Sequence, residues 1–396
     1  MEVNHEFDDI RPYGGNEVTL VIQRLFRNPR LREYMIRFFP EIEWESFKSR
    51  LLPLKNIDDI QFKIVRPIIA ALVEKNSTSL TGAGFENISE NTPHLYISNH
   101  RDIILDATVL NLLLMNKGFI TTEIAIGDNL MLSPWIEDIV RLNKSFIVKR
   151  GVSGRRILEI SRHLSQYIHF AVKSKKESVW IAQREGRAKD SDDRTQDSLL
   201  KMLAMGGDKD FLENIRELNI TPVSLSYEYD PCDFLKAKEF QQRRDNPEFK
   251  KSRLDDLVNM QTGLFGFKGD IYLKIGNPIN CRLQKPDRSL NRNELAALVA
   301  GLIDNEIFLN YRFYPINYIA YDRLWGDGFF KEKYTSEDEK VFDAYLQKQL
   351  EKIDLPDKDI PFLTGKMLEM YAHPVKNQLY SRYCEPEGEA IRRIDN

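Results

Sequence analysis

Short apolar runs alternate with longer stretches of mixed apolar and polar residues through the middle of this chain. Runs rich in β-branched and aromatic residues, bounded by turn-forming residues, predict strands. The predicted strands are HLYIS (94–98), TEIAI (122–126), SFIVK (145–149), SVWIA (178–182), TPVSLSY (221–227) and DIYLKIG (270–276). The stretches between them predict helices, for example at 102–115, 153–172 and 196–204. This alternation predicts an α/β fold in which helices cover a sheet.

Both ends of the chain carry a helical pattern instead. Within the helical segment 16–76, apolar residues recur at helical spacing at Ile57, Ile60, Val65, Ile68, Ile69, Leu72 and Val73. Pro67 is expected to kink or interrupt that helix, because proline lacks a backbone N–H. A turn-rich junction is predicted at TGAGFENISENTP (81–93). The expected organisation is a helical N-terminal region (1–80), an α/β domain (81–284) and a helical C-terminal extension with a polar tail (285–396).

Composition places the chain among globular proteins. Hydrophobic residues make up 42% and charged residues 30% of its 396 residues, and the net charge is −3. This balance argues against a general nucleic-acid binder, which would be basic overall. The cysteines, Cys232, Cys281 and Cys384, are too far apart in sequence to suggest a zinc cluster or a disulfide framework. We expect a protein of the reducing cytoplasm.

Membrane contact is expected at a surface only. The acidic N-terminus, MEVNHEFDDI, does not resemble a signal peptide, and the longest strictly apolar run, 68–73, is far shorter than the ~20 residues of a membrane span. The segment 23–39 interleaves arginines with aromatic residues, which suits an anionic membrane surface. The alternative for this segment is a helix pair with a solvated basic face.

One stretch, ISNHRDIILDATVL (97–110), raises two catalytic hypotheses. Its His-Arg-Asp triplet occurs in kinase catalytic loops, but the magnesium-binding Asn five residues after Asp102 is Ala107 here, and no Asp-Phe-Gly follows. The kinase hypothesis therefore fails. A structural alternative remains for the acids, because Asp102 could cap a helix and Asp106 could be a first-turn acid.

Three predicted strands end in polar groups and a further one opens with a proline, and open α/β sheets place their sites at strand ends. Asn99-His100 follows the first strand, Lys149-Arg150 the third and Glu185-Gly186-Arg187 the fourth, while Pro222 leads the fifth. Together they supply a base, several cations and a turn opened by glycine. This set suits group transfer to the hydroxyl of an alcohol that bears a phosphate.

The same segments resemble the glycerol-phosphate acyltransferase superfamily, whose members acylate glycerol-3-phosphate or lysophosphatidate. His100 with Asp106 resembles its His-x4-Asp block, and Phe146-Ile147 with Lys149-Arg150 resembles its Phe-Ile-x-Arg block. Glu185-Gly186-Arg187 resembles Glu-Gly-x-Arg, and Pro222-Val223 with Tyr227 resembles the proline-led fourth block. The resemblance spans residues 80–280 and implies an α/β domain with a mixed sheet.

Three departures from the family pattern stand out. Five residues separate His100 from Asp106 instead of four, so either Asp106, which we favour, or Asp102 is the partner of the histidine. Lys149 stands where the family has Arg, and a Lys offers no planar bidentate fork. Gln183-Arg184 replaces Phe-Pro, and Arg187 follows Gly186 directly.

The resemblance implies a function and roles for these residues. His100 would be the general base, oriented by Asp106 or Asp102, in acyl transfer from acyl-CoA or an acyl-carrier protein to a phosphate-bearing lipid acceptor. The substrate-binding residues would be Lys149, Arg150, Glu185, Gly186 and Arg187. Neither a metal nor a cofactor is required, and we expect a peripheral protein at the inner membrane face.

Other functions stay open at this point. The acceptor could be an amino-lipid precursor, or the chain could be a non-catalytic lipid-surface protein that keeps the fold. A His/Asp metallohydrolase is a weaker hypothesis, because a second cluster of metal ligands to accompany His94 and His100 is missing from the sequence.

Overall fold

The computed structural model describes residues 5–151, 153–283 and 290–383. Its centre is a seven-stranded sheet with strand order β1-β7-β6-β2-β5-β3-β4. The strands are β1 (Ser79–Ala83), β2 (Leu95–Ser98), β3 (Glu123–Gly127), β4 (Ser145–Val148), β5 (Val179–Ala182), β6 (Ile220–Tyr227) and β7 (Asp270–Ile275). The β6–β7 pair is antiparallel and every other pair is parallel. The six strands predicted from the apolar runs and the mixed sheet are confirmed.

The sequence did not predict the first strand, β1. The turn-rich junction predicted at 81–93 is wrong for residues 81–83, which belong to that strand. The sequence of β1, SLTGA, is short and weakly apolar, and Gly84 follows it. It forms a strand because β7 offers a free edge, along which Ser79 to Ala83 pair with Asp270 to Lys274. Gly84 then turns the chain at φ +82°, with no room for a β-carbon beside the Ile275 carbonyl.

Helices cover the sheet, as predicted, and they lie on both of its faces. One face packs against α8 (Arg155–Phe170), α9 (Asp197–Leu203), α10 (Phe211–Glu217) and α13 (Arg292–Leu309). The other packs against α5 (Arg66–Asn76), α6 (Leu105–Asn116) and α12 (Arg253–Phe265). Along β2, Leu95 and Ile97 enter the first core while Tyr96 enters the second, so this central strand is buried on both sides.

The N-terminal helices form a separate apolar cluster beside the sheet. They are α1 (Asn16–Phe26), α2 (Pro29–Phe38), α3 (Trp44–Leu51) and α4 (Ile57–Ile60), which pack with α7 (Pro134–Leu142). A π-helical segment, Gln61–Val65, separates α4 from α5, and Pro67 lies in the first turn of α5. The predicted interruption of this helix is therefore present, with Pro67 where its missing N–H costs least.

The C-terminal extension has its own core. It contains α14 (Pro315–Tyr321), α15 (Ser336–Glu351) and α16 (Ile360–Tyr383), and packs against α11 (Asp233–Asp245), which follows β6. The helical extensions at both ends are confirmed. The predicted polar tail and Cys384 lie outside the described residues. In the described parts of the chain, no helix has both the length and the apolar character that crossing a bilayer requires.

Candidate active site

The central strand β2 delivers His100 to the edge of the sheet where the parallel strands end. Just before it, the fully buried Asn99 side chain continues the sheet ladder: its amide donates to the Leu225 carbonyl at 2.9 Å and its Oδ1 accepts from the Leu225 N–H at 2.8 Å. The Ser98 hydroxyl donates to the Asn99 carbonyl at 2.8 Å and accepts from the Trp180 indole at 3.1 Å. The backbone that enters the site is therefore fixed to both neighbouring strands.

His100 and Asp106 form the centre of the site. His100 Nδ1 lies 2.8 Å from Asp106 Oδ2, the carboxylate is fully buried, and the imidazole is 14% exposed. The carboxylate also accepts from the N–H groups of Arg101 (2.7 Å) and Asp102 (3.0 Å), and from the Tyr227 hydroxyl (3.0 Å). A carboxylate on Nδ1 favours the tautomer that carries its proton there, which leaves Nε2 as the basic nitrogen.

Asp102 has a different position. Its Oδ1 accepts from the N–H groups of Ile104 and Leu105, both at 2.8 Å, so it caps the start of α6. Burial, and then the charge of Asp106, raise the pKa of Asp102. The turn before α6 accommodates the extra residue between His100 and Asp106. The structure places Asp106, not Asp102, against the imidazole.

Two aromatic residues complete the immediate surroundings of the pair. The Trp180 ring meets the His100 ring edge to face, with centroids 5.9 Å apart. Burial, and then the Asp106 charge, raise the pKa of Tyr227 well above its ordinary value, so its hydroxyl stays a proton donor to Asp106. Sequence analysis gave Tyr227 no role beyond the fourth block and missed Trp180. Side chains alternate between the two faces of a strand, and this alternation is the signal that could have placed Tyr227 and Trp180 near His100.

A buried ion pair holds the turn after His100. Arg101 contacts Asp193 through its two terminal nitrogens, Nη2 at 2.6 Å and Nη1 at 3.1 Å, and the Tyr311 hydroxyl donates to the same carboxylate. Lys236 of α11, which is also buried, donates to the Arg101 carbonyl at 3.3 Å and pairs with Asp230. The sequence did not predict any of these contacts. Asp193 lies 92 residues from Arg101, Tyr311 lies 118 residues from Asp193 and Lys236 lies 135 residues from Arg101, and Asp230, six residues from Lys236, joins the group through that lysine.

Among the predicted cations, Arg187 lies beside the acids of the site. It donates to Asn259 of α12 at 2.9 Å, and its Nη1 is buried without a hydrogen-bond partner in the described part of the chain. Although burial raises the pKa of Asp230, Lys236 and then Arg187 lower it below its ordinary value. Arg187 is thus a cation with unused hydrogen-bonding capacity in the acidic surroundings of the site.

Lys268 is a second cation in this region that sequence analysis missed. Its ammonium is buried at the end of α12 and donates to the carbonyls of Leu264 and Gly266. Burial lowers the pKa of Lys268 to about 8, although the Asp102 charge acts in the opposite direction. A buried lysine close to Asp102 balances part of the negative charge there.

The other predicted substrate-binding residues form pairs of their own. Lys149 pairs with Asp9 of the N-terminal region, which also contacts His163 at 3.0 Å. Arg150 Nη1 lies 3.8 Å from Glu185 Oε1, and both side chains are substantially exposed. Gly186 has φ +69°, a conformation that suits glycine in this turn. The structure therefore brings Arg150 to Glu185, and contacts with His100 or Asp106 involve none of these four residues.

The described residues contain no group of three or more His, Cys, Asp or Glu side chains arranged to hold a metal ion.

Comparison with family models finds a match, described as Acyltransferase, over residues 80–228. We call this matched segment the acyltransferase domain. The resemblance drawn from the four sequence blocks is therefore confirmed, and the acyltransferase domain contains strands β2 to β6 together with the His100–Asp106 pair.

Comparison with solved structures finds the crystal structure of the 1-acyl-sn-glycerophosphate (LPA) acyltransferase PlsC from Thermotoga maritima. The similarity has a TM-score of 0.38 and 13% sequence identity, and covers 75% of this chain and 97% of that chain. A comparison with curated proteins finds no match. Beyond the acyltransferase domain, Lys236, Asn259 and Tyr311 contribute contacts to its site from the segments that follow.

Proposed function

We propose that this protein is an O-acyltransferase of phospholipid synthesis, peripheral at the inner membrane face. It moves a fatty acyl group from acyl-CoA or an acyl-carrier protein to the hydroxyl of 1-acyl-glycerol-3-phosphate or glycerol-3-phosphate. The observation that supports this most is the 2.8 Å contact between His100 Nδ1 and the buried Asp106 carboxylate inside the acyltransferase domain.

The geometry of this pair supports the following reaction. His100 Nε2 removes the proton of the acceptor hydroxyl as its oxygen attacks the thioester carbonyl, and Asp106 stabilises the imidazolium through Nδ1–H. The tetrahedral intermediate then collapses, the carbon–sulfur bond breaks, and the imidazolium returns its proton to the leaving thiolate. An ester and a free thiol result, and the enzyme is regenerated without a covalent intermediate.

Arg187 is the cation best placed to bind the acceptor phosphate. Its unpartnered Nη1 and its position beside Asp102, in the turn that carries the His100–Asp106 pair, support this role. The exposed Arg150–Glu185 pair could open to contribute a second contact, because surface ion pairs in water are weak. Lys149 would contribute only after release from Asp9.

One observation favours a second candidate, an amino-lipid acceptor. The carboxylates of Asp102 and Asp230 lie in the same buried region as Arg187, and such carboxylates suit an acceptor that carries an ammonium group. The two candidates share the base and differ only in the acceptor.

An acceptor panel tests the proposal. The full-length protein is incubated with acyl-CoA or acyl-carrier protein and with glycerol-3-phosphate, 1-acyl-glycerol-3-phosphate or an amino-lipid precursor, and lipid products are identified by mass. His100→Ala should abolish the product, whereas His163→Ala, a control outside the site, should retain it. Equal product from His100→Ala would overturn the mechanism. Product from the amino lipid alone would favour the second candidate, and no product from any pair would favour a non-catalytic lipid-surface protein.

A further inference from the structure

Helix α12 presents two different faces. Toward the site, Asn259 accepts a hydrogen bond from Arg187, and Gly263 packs against the Asp102 carboxylate. On the outside, Leu254 is 67%, Val258 40% and Phe265 36% exposed. Leu254, Val258 and Phe265 are spaced by four and seven residues and so lie in one stripe along the helix. Asn259 and Gly263 fall on the opposite side.

The outer stripe continues onto neighbouring elements. Phe267, directly after α12, is 57% exposed, and the ring of Phe38 in α2 stacks on Phe265 with centroids 6.2 Å apart. The Arg37 guanidinium lies over the Phe38 ring, 5.3 Å from its centroid. We define the α2–α12 face as Arg37, Phe38, Leu254, Val258, Phe265 and Phe267.

Arg37 borders this apolar surface through its contact with the Phe38 ring. Arg27, Arg30 and Arg32 are also exposed, in or just before α2, and Glu33 is the acid within the segment 27–37. A single exposed apolar side chain is ordinary, but a continuous apolar stripe bordered by arginines is typical of helices that lie in a bilayer interface. There the apolar side chains enter the acyl boundary and the arginines meet anionic headgroups.

We propose that the α2–α12 face docks on an anionic lipid bilayer and positions the catalytic site over it. This proposal rests on the proposed function and deepens it by naming the element through which the lipid acceptor arrives. The same helix contacts the bilayer on one side and Asp102 and Arg187 on the other. A lipid that leaves the bilayer beside α12 would therefore meet the phosphate-binding cation and His100 without crossing the aqueous phase.

The test compares binding to phosphatidylcholine vesicles with and without phosphatidylglycerol. In one face variant Leu254, Val258 and Phe267 are replaced by Ser. In the second, Arg37 of the face and its exposed neighbours in α2, Arg30 and Arg32, are replaced by Gln. The matched controls replace Leu158, Phe329 and Val341 by Ser, and Lys340, Lys348 and Lys358 by Gln, at exposed positions elsewhere. Both face variants should lose roughly tenfold or more in affinity for the anionic vesicles, and both controls should bind like the wild type.

Two further measurements separate this proposal from the proposed function. On an acceptor dissolved as monomers, the face variants should keep wild-type activity, and on the same headgroup in vesicles they should lose it. A wild type that binds anionic vesicles but acylates no acceptor would overturn the proposed function and leave the docking surface intact.

A tryptophan at position 258 reports insertion directly. Val258→Trp should show a blue-shifted emission with anionic vesicles, while Val341→Trp should not. Vesicle binding unchanged in both face variants would overturn the proposal. So would a change from dimer to monomer in those variants without a change in vesicle binding, because the stripe would then cover a second copy of this chain.

Discussion

Gly263 of α12 lies directly against the carboxylate of Asp102. A β-carbon at position 263 would stand 1.9 Å from Asp102 Oδ2, which is far inside van der Waals contact. Asp102 cannot move away without cost, because it is buried and its other oxygen caps α6 at Ile104 and Leu105. The absence of a side chain at position 263 thus sets how closely α12 approaches the turn that carries the His100–Asp106 pair.

Gly263→Ala is expected to push Asp102 out of its capping position. Overpacking of this kind costs about 1–3 kcal/mol of unfolding free energy, and the shifted turn should lower kcat. The measurements are urea unfolding and initial acylation rates. Gly301→Ala in α13 is the control, because its β-carbon would meet open space, and alanine inside a helix should stabilise by roughly 0.5–1 kcal/mol. Similar results for the two variants would contradict the packing argument.

The two acids near His100 can be separated by amide substitutions. Asp106→Asn should lower kcat by about 10²–10⁴-fold, because the amide cannot stabilise the imidazolium and favours the wrong tautomer. Asp102→Asn keeps an oxygen that can accept from Ile104 and Leu105, so it should change mainly the unfolding free energy. The measurements are kcat, KM and urea unfolding for each variant. If Asp102→Asn had the larger effect on kcat, the assignment of Asp106 as the partner of His100 would be wrong.

The buried pair of Arg101 and Asp193 should be costly to break. Asp193→Asn leaves the Arg101 charge buried without its partner, which is expected to cost about 3–5 kcal/mol of unfolding free energy. Asp359→Asn, which breaks the exposed pair with Arg244, should have a far smaller effect, because water screens that pair. Chemical unfolding of both variants provides the comparison, and equal losses would show that the buried pair does not anchor the turn after His100.

Asp233, at the start of α11, should make stability depend on pH. Burial, and then the charge of Asp230, raise the pKa of Asp233 from 3.8 to about 7. Between these values the folded protein holds a proton that the unfolded chain has released. The unfolding free energy should therefore fall as pH rises through this window, by at most roughly 1.4 kcal/mol per pH unit, and level off above it.

Urea unfolding between pH 4 and 8, the range that these two pKa values define, measures that slope. Asp233→Asn should remove this component of it, because the amide does not titrate. Asp354→Asn, at an exposed position, serves as the control and should leave the slope as in the wild type. A slope that persists in Asp233→Asn would assign the pH dependence to other groups.

Much of the sheet could be predicted from the sequence, because each buried strand is a short apolar run with its own boundaries. The edge strand β1 could not, because its residues resemble a turn and only the edge of β7 makes them extended. The helical N-terminal region was predictable from the periodicity of its apolar residues, and the interruption near Pro67 from the missing N–H of proline.

The centre of the site was also accessible to sequence analysis, because His100 and Asp106 belong to one short turn. The choice between Asp102 and Asp106 needed the geometry of that turn, in which one carboxylate caps the helix and the other meets the ring. The contact that Lys149 makes could not be predicted from the sequence. Its partner, Asp9, comes from a segment 140 residues away, and no local pattern predicts such a pair.

The Arg101–Asp193 salt bridge behind His100 receives a hydrogen bond from outside the acyltransferase domain. Tyr311, in the chain segment after α13, donates to Asp193. Transplanting residues 80–228 alone into another scaffold would carry both charges along but leave the hydroxyl behind. The graft would then lack the hydrogen bond that the Asp193 carboxylate accepts from Tyr311, and the turn after His100 would lose part of its support. A functional transfer of this domain should therefore include the segment that carries Tyr311.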